Sequence, residues 1–290
     1  MGSYKFSGHE TFQCRHFWLK KGIDFITNNG DFKSPTSVVD LGVGKNMVGS
    51  MSYWLKAFTL VDSTMEITEL GRHLFSDNGY DPYIEDIGTL YILHSKIFDN
   101  SNFASIYQLC FELFRKTRIA NEFTSKQLID FVTKTVSKNG DQISVKSIEV
   151  DVKVLLKMYS NSSKRGAKTL EDDLASLMVG LNFIQPIEGV IVDGEQLYKM
   201  NFSEQRQLHP SVLLFLILEK FAGQTSISID SIQSELSDGM LCNREGLDNK
   251  LQELAEQGYL VYKQDAGRKE IQLKASLDKW KILGRYYGRV

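Results

Sequence analysis

The chain has 290 residues and a formal net charge of −2 at pH 7, with 42% hydrophobic and 24% charged residues. A chain of this length can bury a substantial core in about two or three modules. It has no run of about 18 apolar residues and no signal-peptide pattern, so we expect a cytoplasmic protein without a membrane-spanning helix. Its cysteines are too few and too isolated for a disulfide framework or a structural zinc site: Cys14, Cys110 and Cys242.

Positive charge is concentrated at both ends of the chain. Basic residues exceed acidic residues by three in residues 1–60 and by five in residues 263–290, so the part between them is strongly acidic. Basic ends of this kind can neutralise DNA phosphates, whereas an acidic middle is commonly a solvated surface. The distribution is compatible with DNA contacts at the two ends but does not establish them.

Near the N-terminus, hydrophobic periodicity predicts three helices followed by a small hairpin. The predicted elements are a helix over Thr11–Asn28 with Thr11 as N-cap, a short helix from Ser34-Pro35, a helix over Lys45–Phe58 after a glycine turn, and a hairpin within Thr59–Ile67. This order is typical of a winged helix-turn-helix unit.

The same order returns near the C-terminus. The predicted elements are a helix opened by His209-Pro210, a short helix over Ser228–Leu236, a helix over Asn243–Gln257, and strands at Tyr259–Tyr262 and Glu270–Leu273. The pattern predicts a second winged helix-turn-helix unit, followed by a basic tail.

The middle of the chain is predicted to be helical. Its elements are helices over Leu90–Phe98, Ala104–Thr117, Ser125–Ser137, Val145–Tyr159 and Leu170–Leu181, a polar loop at 160–166, and a hairpin within Ile187–Leu197. We therefore expect a mainly α fold with small β-wings and winged helix-turn-helix units at both ends. The expected domains are an N-terminal winged-helix DNA-binding domain (1–80), a helical middle domain (81–205) and a C-terminal winged-helix domain with a basic tail (206–290).

Polar and basic residues of the two units are candidates for DNA binding, because a glycine turn before a helix presents free N–H groups to a phosphate. In the first unit they are Arg15, Lys45, Asn46, Ser50, Tyr53 and Lys56, the last four being expected to face outward. In the second they are Arg244, Lys263, Arg268, Lys269 and Arg285, with Asn243, Asp248 and Lys250 also expected to face outward on the third helix. Units that only dock other proteins remain an open alternative.

Two short strings contain candidate catalytic residues. In Gly8–Thr11, the imidazole of His9 beside the carboxylate of Glu10 suits proton transfer, although Thr11 as N-cap and Glu10 near a helix start would explain the string equally well. Further along, Asp81, Glu85 and Asp86, with His94 two turns later, could hold a divalent metal such as Mg²⁺ for phosphodiester cleavage. A helix start at Pro82 is the alternative explanation.

Six strings together resemble one bacterial family. They are YKFSGHETF, LGVGKNMVGSMSYWLKAFTLV, TELGRHLF, GYDPYIEDIGTLYILH, EVDVKVLLKMY and LEDDLASLM. The chain resembles the domain-of-unknown-function family four-thousand-and-seven, whose members are encoded beside enzymes like phosphoadenosine-phosphosulfate reductase in antiphage islands. The resemblance implies the B component of a single-strand DNA phosphorothioation system, with double-stranded DNA, the sulfur-transfer enzyme and other components of that system as partners. It transfers no catalytic residue to a position of this sequence.

Three functions remain open at this stage. The first is a DNA-binding protein that assists sulfur incorporation by a partner enzyme, and the second adds DNA nicking as an endodeoxyribonuclease. The third is a non-enzymatic winged-helix adaptor or transcriptional regulator. A homodimer is compatible with each of them.

Overall fold

The computed structural model describes residues 3–117, 120–160, 176–265 and 268–289, without the side chains at 265 and 268. The chain divides into two compact units, Met1–Glu85 with Lys96–Asn201 and Asp86–Ser95 with Phe202–Val290. In these ranges no helix combines the length and apolar character needed to cross a membrane. The division into 1–80, 81–205 and 206–290 stays a prediction.

The first unit is mainly helical. Its helices are α1 (Trp18–Thr27), α2 (Ser37–Leu41), α3 (Lys45–Ala57), α4 (Glu69–Phe75), the end of α5 (Ile87–Asp99), α6 (Ser105–Gln108), α7 (Ser125–Lys138) and α8 (Val145–Tyr159). A π-helical segment, Leu109–Phe114, continues α6, and a 3-10 turn covers Val179–Leu181. The strands β1 (Glu122–Thr124), β2 (Ile184–Val192) and β3 (Glu195–Met200) form an antiparallel sheet in the order β1-β3-β2.

The second unit combines the start of α5 with shorter elements. They are α9 (Pro210–Lys220), β4 (Ser226–Ser228), α10 (Ile229–Ile232), a π-helical segment (Gln233–Ser237), α11 (Arg244–Glu256), β5 (Leu260–Asp265), β6 (Arg268–Leu273) and α12 (Lys279–Tyr286). Its antiparallel sheet has the order β4-β6-β5. The expected mainly α fold with small β elements is confirmed.

Close packing of α1 against α3 forms one side of the first unit's core. Leu19, Ile23 and Trp54 on these helices are buried. A Cβ at Gly22 of α1 would lie only 2.7 Å from Cδ1 of Leu55 on α3. The two helices can approach this closely because α1 has no side chain at that position.

The first helix begins later than the sequence predicts. It starts at Trp18 rather than Thr11, and its N-cap residue Phe17 makes no side-chain cap. Thr11 instead has a positive φ of 68°. The prediction that Thr11 caps the helix was wrong, because the residues before it form a loop held by a distant part of the chain.

The predicted hairpin within Thr59–Ile67 is reduced to a single bridge between Val61 and Ile67. Asp62 explains why a longer ladder is not formed. Its Oδ1 accepts the N–H groups of Thr64 at 2.8 Å and Glu66 at 2.9 Å, and the Thr64 hydroxyl at 2.7 Å. A side chain thus takes up donors that strand pairing would otherwise use.

Several other predicted elements agree closely with the structure. Val145–Tyr159 has the predicted bounds, and the hairpin β2–β3 turns at Asp193-Gly194, both with positive φ. In the second unit, α9 begins at Pro210 with His209 as its N-cap, in agreement with the predicted helix opening at His209-Pro210. Of the predicted loop 160–166 and helix Leu170–Leu181, residues 161–175 lie outside the described residues.

His94 of α5 lies in the core of the second unit. It is fully buried, and its Nε2 is 2.9 Å from the carbonyl oxygen of Gly239. Burial lowers the pKa of His94 to about 4, although the bond to Gly239 acts in the opposite direction. His94 therefore serves the core of this unit.

His94 should make the stability of the protein depend on pH. An unfolded histidine titrates near pH 6.5, so between about pH 6.5 and 4 the unfolded chain binds more protons than the folded chain. The free energy of unfolding should therefore fall as the pH falls through this window, by about 3 kcal/mol for this one group. We expect His94→Gln, which keeps an N–H donor but does not titrate, to remove that part of the dependence in urea denaturation at pH 4.5 to 7.5. An unchanged pH dependence in the variant would contradict this assignment.

Candidate functional site around His9

The loop Ser7–Thr11 of the first unit has an unusual backbone. Ser7, Gly8, Glu10 and Thr11 have φ values of 68°, 97°, 49° and 68°. Residues with side chains adopt this left-handed region at a cost, and such conformations persist only where surrounding contacts enforce them. The contacts of this loop therefore identify what holds it.

Asp151 on α8 is the main anchor of the loop. The N–H of Ser7 donates to its Oδ1 at 2.9 Å and to its Oδ2 at 3.2 Å, and Nε2 of His9 lies 3.0 Å from Oδ1. His9 and Asp151 are only 3% and 2% exposed. A buried carboxylate is stable only with partners, and here the loop supplies them.

Aromatic rings of α3 enclose the imidazole of His9. The ring is stacked on Trp54 with a centroid distance of 6.0 Å and is edge-on to Tyr53 at 5.7 Å. Nε1 of Trp54 also donates to the carbonyl oxygen of Phe12 at 3.1 Å. Burial and, to a lesser extent, Asp151 raise the pKa of the Tyr53 phenol well above its usual value. The phenol is therefore a neutral wall of this site.

Two buried polar atoms of this region have no hydrogen-bond partner among the described residues. They are Nδ1 of His9 and Oγ of Ser50 on α3. Buried polar atoms in native proteins nearly always have a partner, so Nδ1 of His9 is available to a water molecule or to a bound group.

A cavity of about 320 Å³ opens beside the loop. It is lined by Ser7, Gly8, His9, Glu10, Thr11, Ser144, Lys146, Ser147 and Val150. Glu10 is exposed, and its Cγ would lie 3.6 Å from a Cβ at Gly49 of α3. The arrangement therefore gathers an imidazole, a free carboxylate, hydroxyls and an ammonium group along one cavity, which suits proton transfer or the binding of a polar ligand.

The predicted acidic cluster does not assemble as a metal site. Oδ1 of Asp81 accepts the N–H of Glu85 at 2.8 Å, and Oδ1 of Asp86 accepts the N–H of Gly88 at 2.7 Å and the hydroxyl of Tyr286. These carboxylates therefore serve local turns and packing. Among the described residues, no group of three or more His, Cys, Asp or Glu side chains is arranged to hold a metal ion.

The DNA-binding candidates of the first unit differ in exposure. Lys45 and Asn46 are exposed at the start of α3, whereas Lys56 is half-buried with Nζ 3.4 Å from the carbonyl oxygen of Ser63. Ser50 and Tyr53 are buried, so the prediction that they face outward was wrong. The loop Ser7–Thr11 covers that face of α3, because Tyr53 packs against His9 and Gly8.

Arg15 is also less available than its charge suggests. Its guanidinium lies 5.6 Å from the centroid of the Trp18 ring, and its backbone forms an antiparallel bridge with Ser176. A cation over an aromatic face is already partly satisfied. The side chain is half-buried, which leaves part of it accessible.

Most basic candidates on the third helix and hairpin of the second unit have acidic or backbone partners. Arg244 lies 2.6 Å from Asp230 and 3.3 Å from Asp248, and Lys269 lies 2.9 Å from Asp248. Lys250, expected to face outward, is buried and donates to the carbonyl oxygen of Glu204 at 2.8 Å, so that prediction was wrong. Its burial also lowers its pKa.

The remaining candidates of the second unit are Lys263 and Arg285, which are exposed, and Arg268, whose side chain is outside the described set. Lys263 is on β5 and Arg285 is in the last turn of α12. These residues keep solvent-accessible charge where Arg244 and Lys269 do not.

The sequence predicts the bounds of α8 but not that Asp151 and the start of this helix belong to the candidate site. Ile148, Val152 and Leu155 form the buried stripe of this helix, and Asp151 lies on the same stripe. A lone carboxylate on an apolar helix face is a signal for a buried polar partner. The partner, His9, is 142 residues away, which local patterns cannot reveal.

The family model described as "Protein of unknown function (DUF4007)" matches residues 6–287, and the chain belongs to this family. The predicted family membership is therefore confirmed. No curated protein matches the chain.

Two solved structures are similar in fold. The SspB crystal structure matches with a TM-score of 0.81 at 24% identity, and the magnesium ion-bound SspB crystal structure with a TM-score of 0.83 at 23% identity. Each comparison covers 98% of this chain and 88% of the solved chain. At these identities the similarity establishes the fold of the chain.

Gly8 should be more sensitive to substitution than another glycine with positive φ. An alanine at Gly140, whose φ is 84°, would meet nothing within 4 Å, whereas a Cβ at Gly8 would lie 2.8 Å from the buried Tyr53 ring. Backbone strain alone should lower the free energy of unfolding of Gly140→Ala by about 1 kcal/mol. We expect Gly8→Ala to cost at least about 2 kcal/mol, because the clash adds to the strain. Urea denaturation of both variants measures the difference, and equal costs would refute the tight packing of the loop.

Proposed function

We propose that this chain is a DNA-binding component of a bacterial DNA phosphorothioation and antiphage system. Two findings support the proposal. The chain belongs to a family whose members it resembles as proteins of such systems, and its fold is similar to that of SspB. The observation that carries its DNA-binding part is the open first turn of α3. Gly44 precedes this turn without a side-chain cap, and Lys45 and Asn46 on it are exposed.

The first turn of α3 has the properties that a DNA phosphate requires. The N–H groups at the start of a helix lack helical acceptors, and the helix dipole makes this end positive. Positions for a Cβ at Gly42 and Gly44 have no atom within 4 Å, so the turn leaves room for a bulky ligand. Lys45 adds a full positive charge, which favours a backbone phosphate in this position.

The order of elements supports winged helix-turn-helix units at both ends as part of this proposal. In the first, α1, α2 and α3 precede the turn closed by Val61 and Ile67. In the second, α9, α10 and α11 precede the hairpin β5–β6, and β4 adds a third strand. The domains 1–80 and 206–290 would then be the DNA-binding parts, with 81–205 between them.

The two units would contribute unequally to DNA binding. Asp248 accepts hydrogen bonds from Lys269 at 2.9 Å and from Tyr262 at 3.2 Å, and also contacts Arg244. A phosphate would have to displace this carboxylate to reach the same donors. We therefore assign the main contact to α3, with Lys263, Arg268 and Arg285 as lesser contacts.

Nicking is the second candidate function, and one observation favours it. The loop Ser7–Thr11 combines strained backbone with the free carboxylate of Glu10 beside a cavity, as catalytic sites often do. In this assignment Glu10 would act on a proton at the cavity, while the buried His9 would position the loop. Asp81, Glu85 and Asp86 are not retained as catalytic residues, because two of them have structural partners.

One of the two similar structures is the magnesium ion-bound form of SspB. The described residues do not fit a closed magnesium site, because no three potential ligands converge. No step is therefore assigned to a metal. The sulfur chemistry itself is assigned to a partner enzyme, and an adaptor without DNA affinity is the competing outcome of the tests below.

Neutralising Lys45 should weaken DNA binding. We expect Lys45→Ala to lower the affinity for duplex DNA by about fivefold at low salt and to reduce the slope of log affinity against log salt by about 1. Lys126→Ala, which removes an equally exposed lysine from α7, should leave both nearly unchanged. Gel-shift titrations across a salt series measure both quantities. Equal losses in the two variants would exclude α3 as the DNA contact, and no binding by the unmodified protein would favour the adaptor.

Lys263 and Lys269 offer a matched pair for the second unit. Because Lys269 is held by Asp248 while Lys263 is exposed, Lys269→Ala should change DNA affinity less than Lys263→Ala. Conversely, Asp248→Asn should raise the affinity by about two- to fivefold, since it frees Arg244 and Lys269 and removes a negative charge. The same salt series measures these changes, and a loss of affinity in Asp248→Asn would contradict the proposed competition.

A further inference from the structure

The cavity beside the Ser7–Thr11 loop has a helix start as its opposite wall. Ser144, Lys146 and Ser147 at the beginning of α8 line it together with His9 and Glu10. All these residues belong to the first unit. The cavity and the first turn of α3 have different hydrogen-bond donors. The cavity has the start of α8 and Lys146, whereas the first turn of α3 has Lys45.

The start of α8 carries donors suited to an anion. Ser144 caps the helix by accepting the N–H of Ser147 at 3.1 Å, and the two hydroxyls are 2.8 Å apart. In the described part of the chain, the N–H groups of Val145 and Lys146 have no acceptor, and neither has the Lys146 ammonium group. A 15-residue helix adds a positive dipole end at this point.

His9 provides an independent indication of a ligand. It lines the cavity, is 3% exposed, and its Nδ1 has no hydrogen-bond partner. Its other ring nitrogen, Nε2, lies 3.0 Å from Oδ1 of Asp151 and is committed to that carboxylate. An anion in the cavity would give Nδ1 the acceptor that the protein does not supply.

Glu10 limits the charge that the cavity accepts. Its carboxylate lines the same space and is exposed, so it repels a dianion more strongly than a monoanion. A phosphodiester carries one negative charge, whereas inorganic phosphate is largely a dianion above neutral pH. The balance of Lys146, the helix start and Glu10 therefore favours a diester.

We propose that this cavity is a subsite for one backbone phosphodiester of a nucleic acid strand, held by the start of α8 and Lys146 and contacted by His9. The inference rests on the proposed DNA-binding function and adds a second phosphate position to it. It also explains why the loop is held in a strained conformation, since Asp151 keeps His9 and Glu10 at the edge of the cavity.

Two variants of α8 test the subsite in the full-length chain. Lys146→Ala should weaken binding of a duplex oligonucleotide about fivefold at low salt, whereas Lys153→Ala should change it less than about twofold. Lys153 is an exposed lysine on the same helix, two turns further along. Equal effects of the two substitutions would overturn the subsite, because they would reflect only the overall charge of the helix.

Two further measurements distinguish a nucleic acid phosphate from a free phosphate, and failure of the subsite from failure of the proposed DNA-binding function. Dimethyl phosphate, a diester monoanion, should shift the NMR signals of His9 and Ser147, and inorganic phosphate should shift them less. Binding of inorganic phosphate through Lys146 without any DNA affinity would overturn the nucleic-acid assignment. If Lys45→Ala weakens DNA binding while Lys146→Ala does not, the subsite fails and the proposed function stands.

Discussion

The carboxylate of Asp151 is the interaction on which the candidate site depends. It accepts the N–H of Ser7 and pairs with His9, which are more than 140 residues away in sequence. A buried charge is costly without partners, so Asp151 needs the hydrogen bonds that the loop provides. The loop in turn keeps its strained backbone only because Asp151 holds it. The loop then covers the face of α3 that carries Tyr53 and Trp54. The first turn of α3 stays exposed at Lys45 and Asn46, where a ligand can approach.

Charge pairing separates the roles of the two units. In the second unit, Asp248 gathers Arg244, Lys269 and Tyr262, and this network favours a stable fold of that surface over the capture of phosphates. In the first unit, Lys45 at the start of α3 and Lys146 at the start of α8 have no such carboxylate partner among the residues that the structure describes. Unpaired cations beside helix starts are where an anionic strand gains most. The net charge of the chain is near zero, but the two units differ in how many of their cations are available to bind an anionic strand.

Local sequence patterns predicted much of the fold but little of the candidate site. The bounds of Val145–Tyr159 and the cap of α9 at His209 follow from periodicity and capping, which act within a few residues. The start of α1 could not be predicted, because the loop before it is held through Ser7 and His9 by Asp151, which is far away in sequence. His9 and Glu10 are chemically suggestive in the sequence, yet the burial of His9, the cavity beside both residues and the anchor at Asp151 depend on tertiary contacts. The outward orientation predicted for Tyr53 failed for the same reason, since an amphipathic pattern does not show which polar residue another segment will cover.

Amide hydrogen exchange at Ser7 tests the account most directly. If Asp151 holds the loop, the Ser7 N–H should exchange slowly in the unmodified protein, although its side chain is exposed and no helix or strand includes it. Asp151→Asn should increase that exchange rate by at least about tenfold, because the amide loses a charged acceptor. Amides within α7 should exchange as before, which would establish that the fold persists. An unchanged rate at Ser7 in the variant would contradict the central role assigned to Asp151.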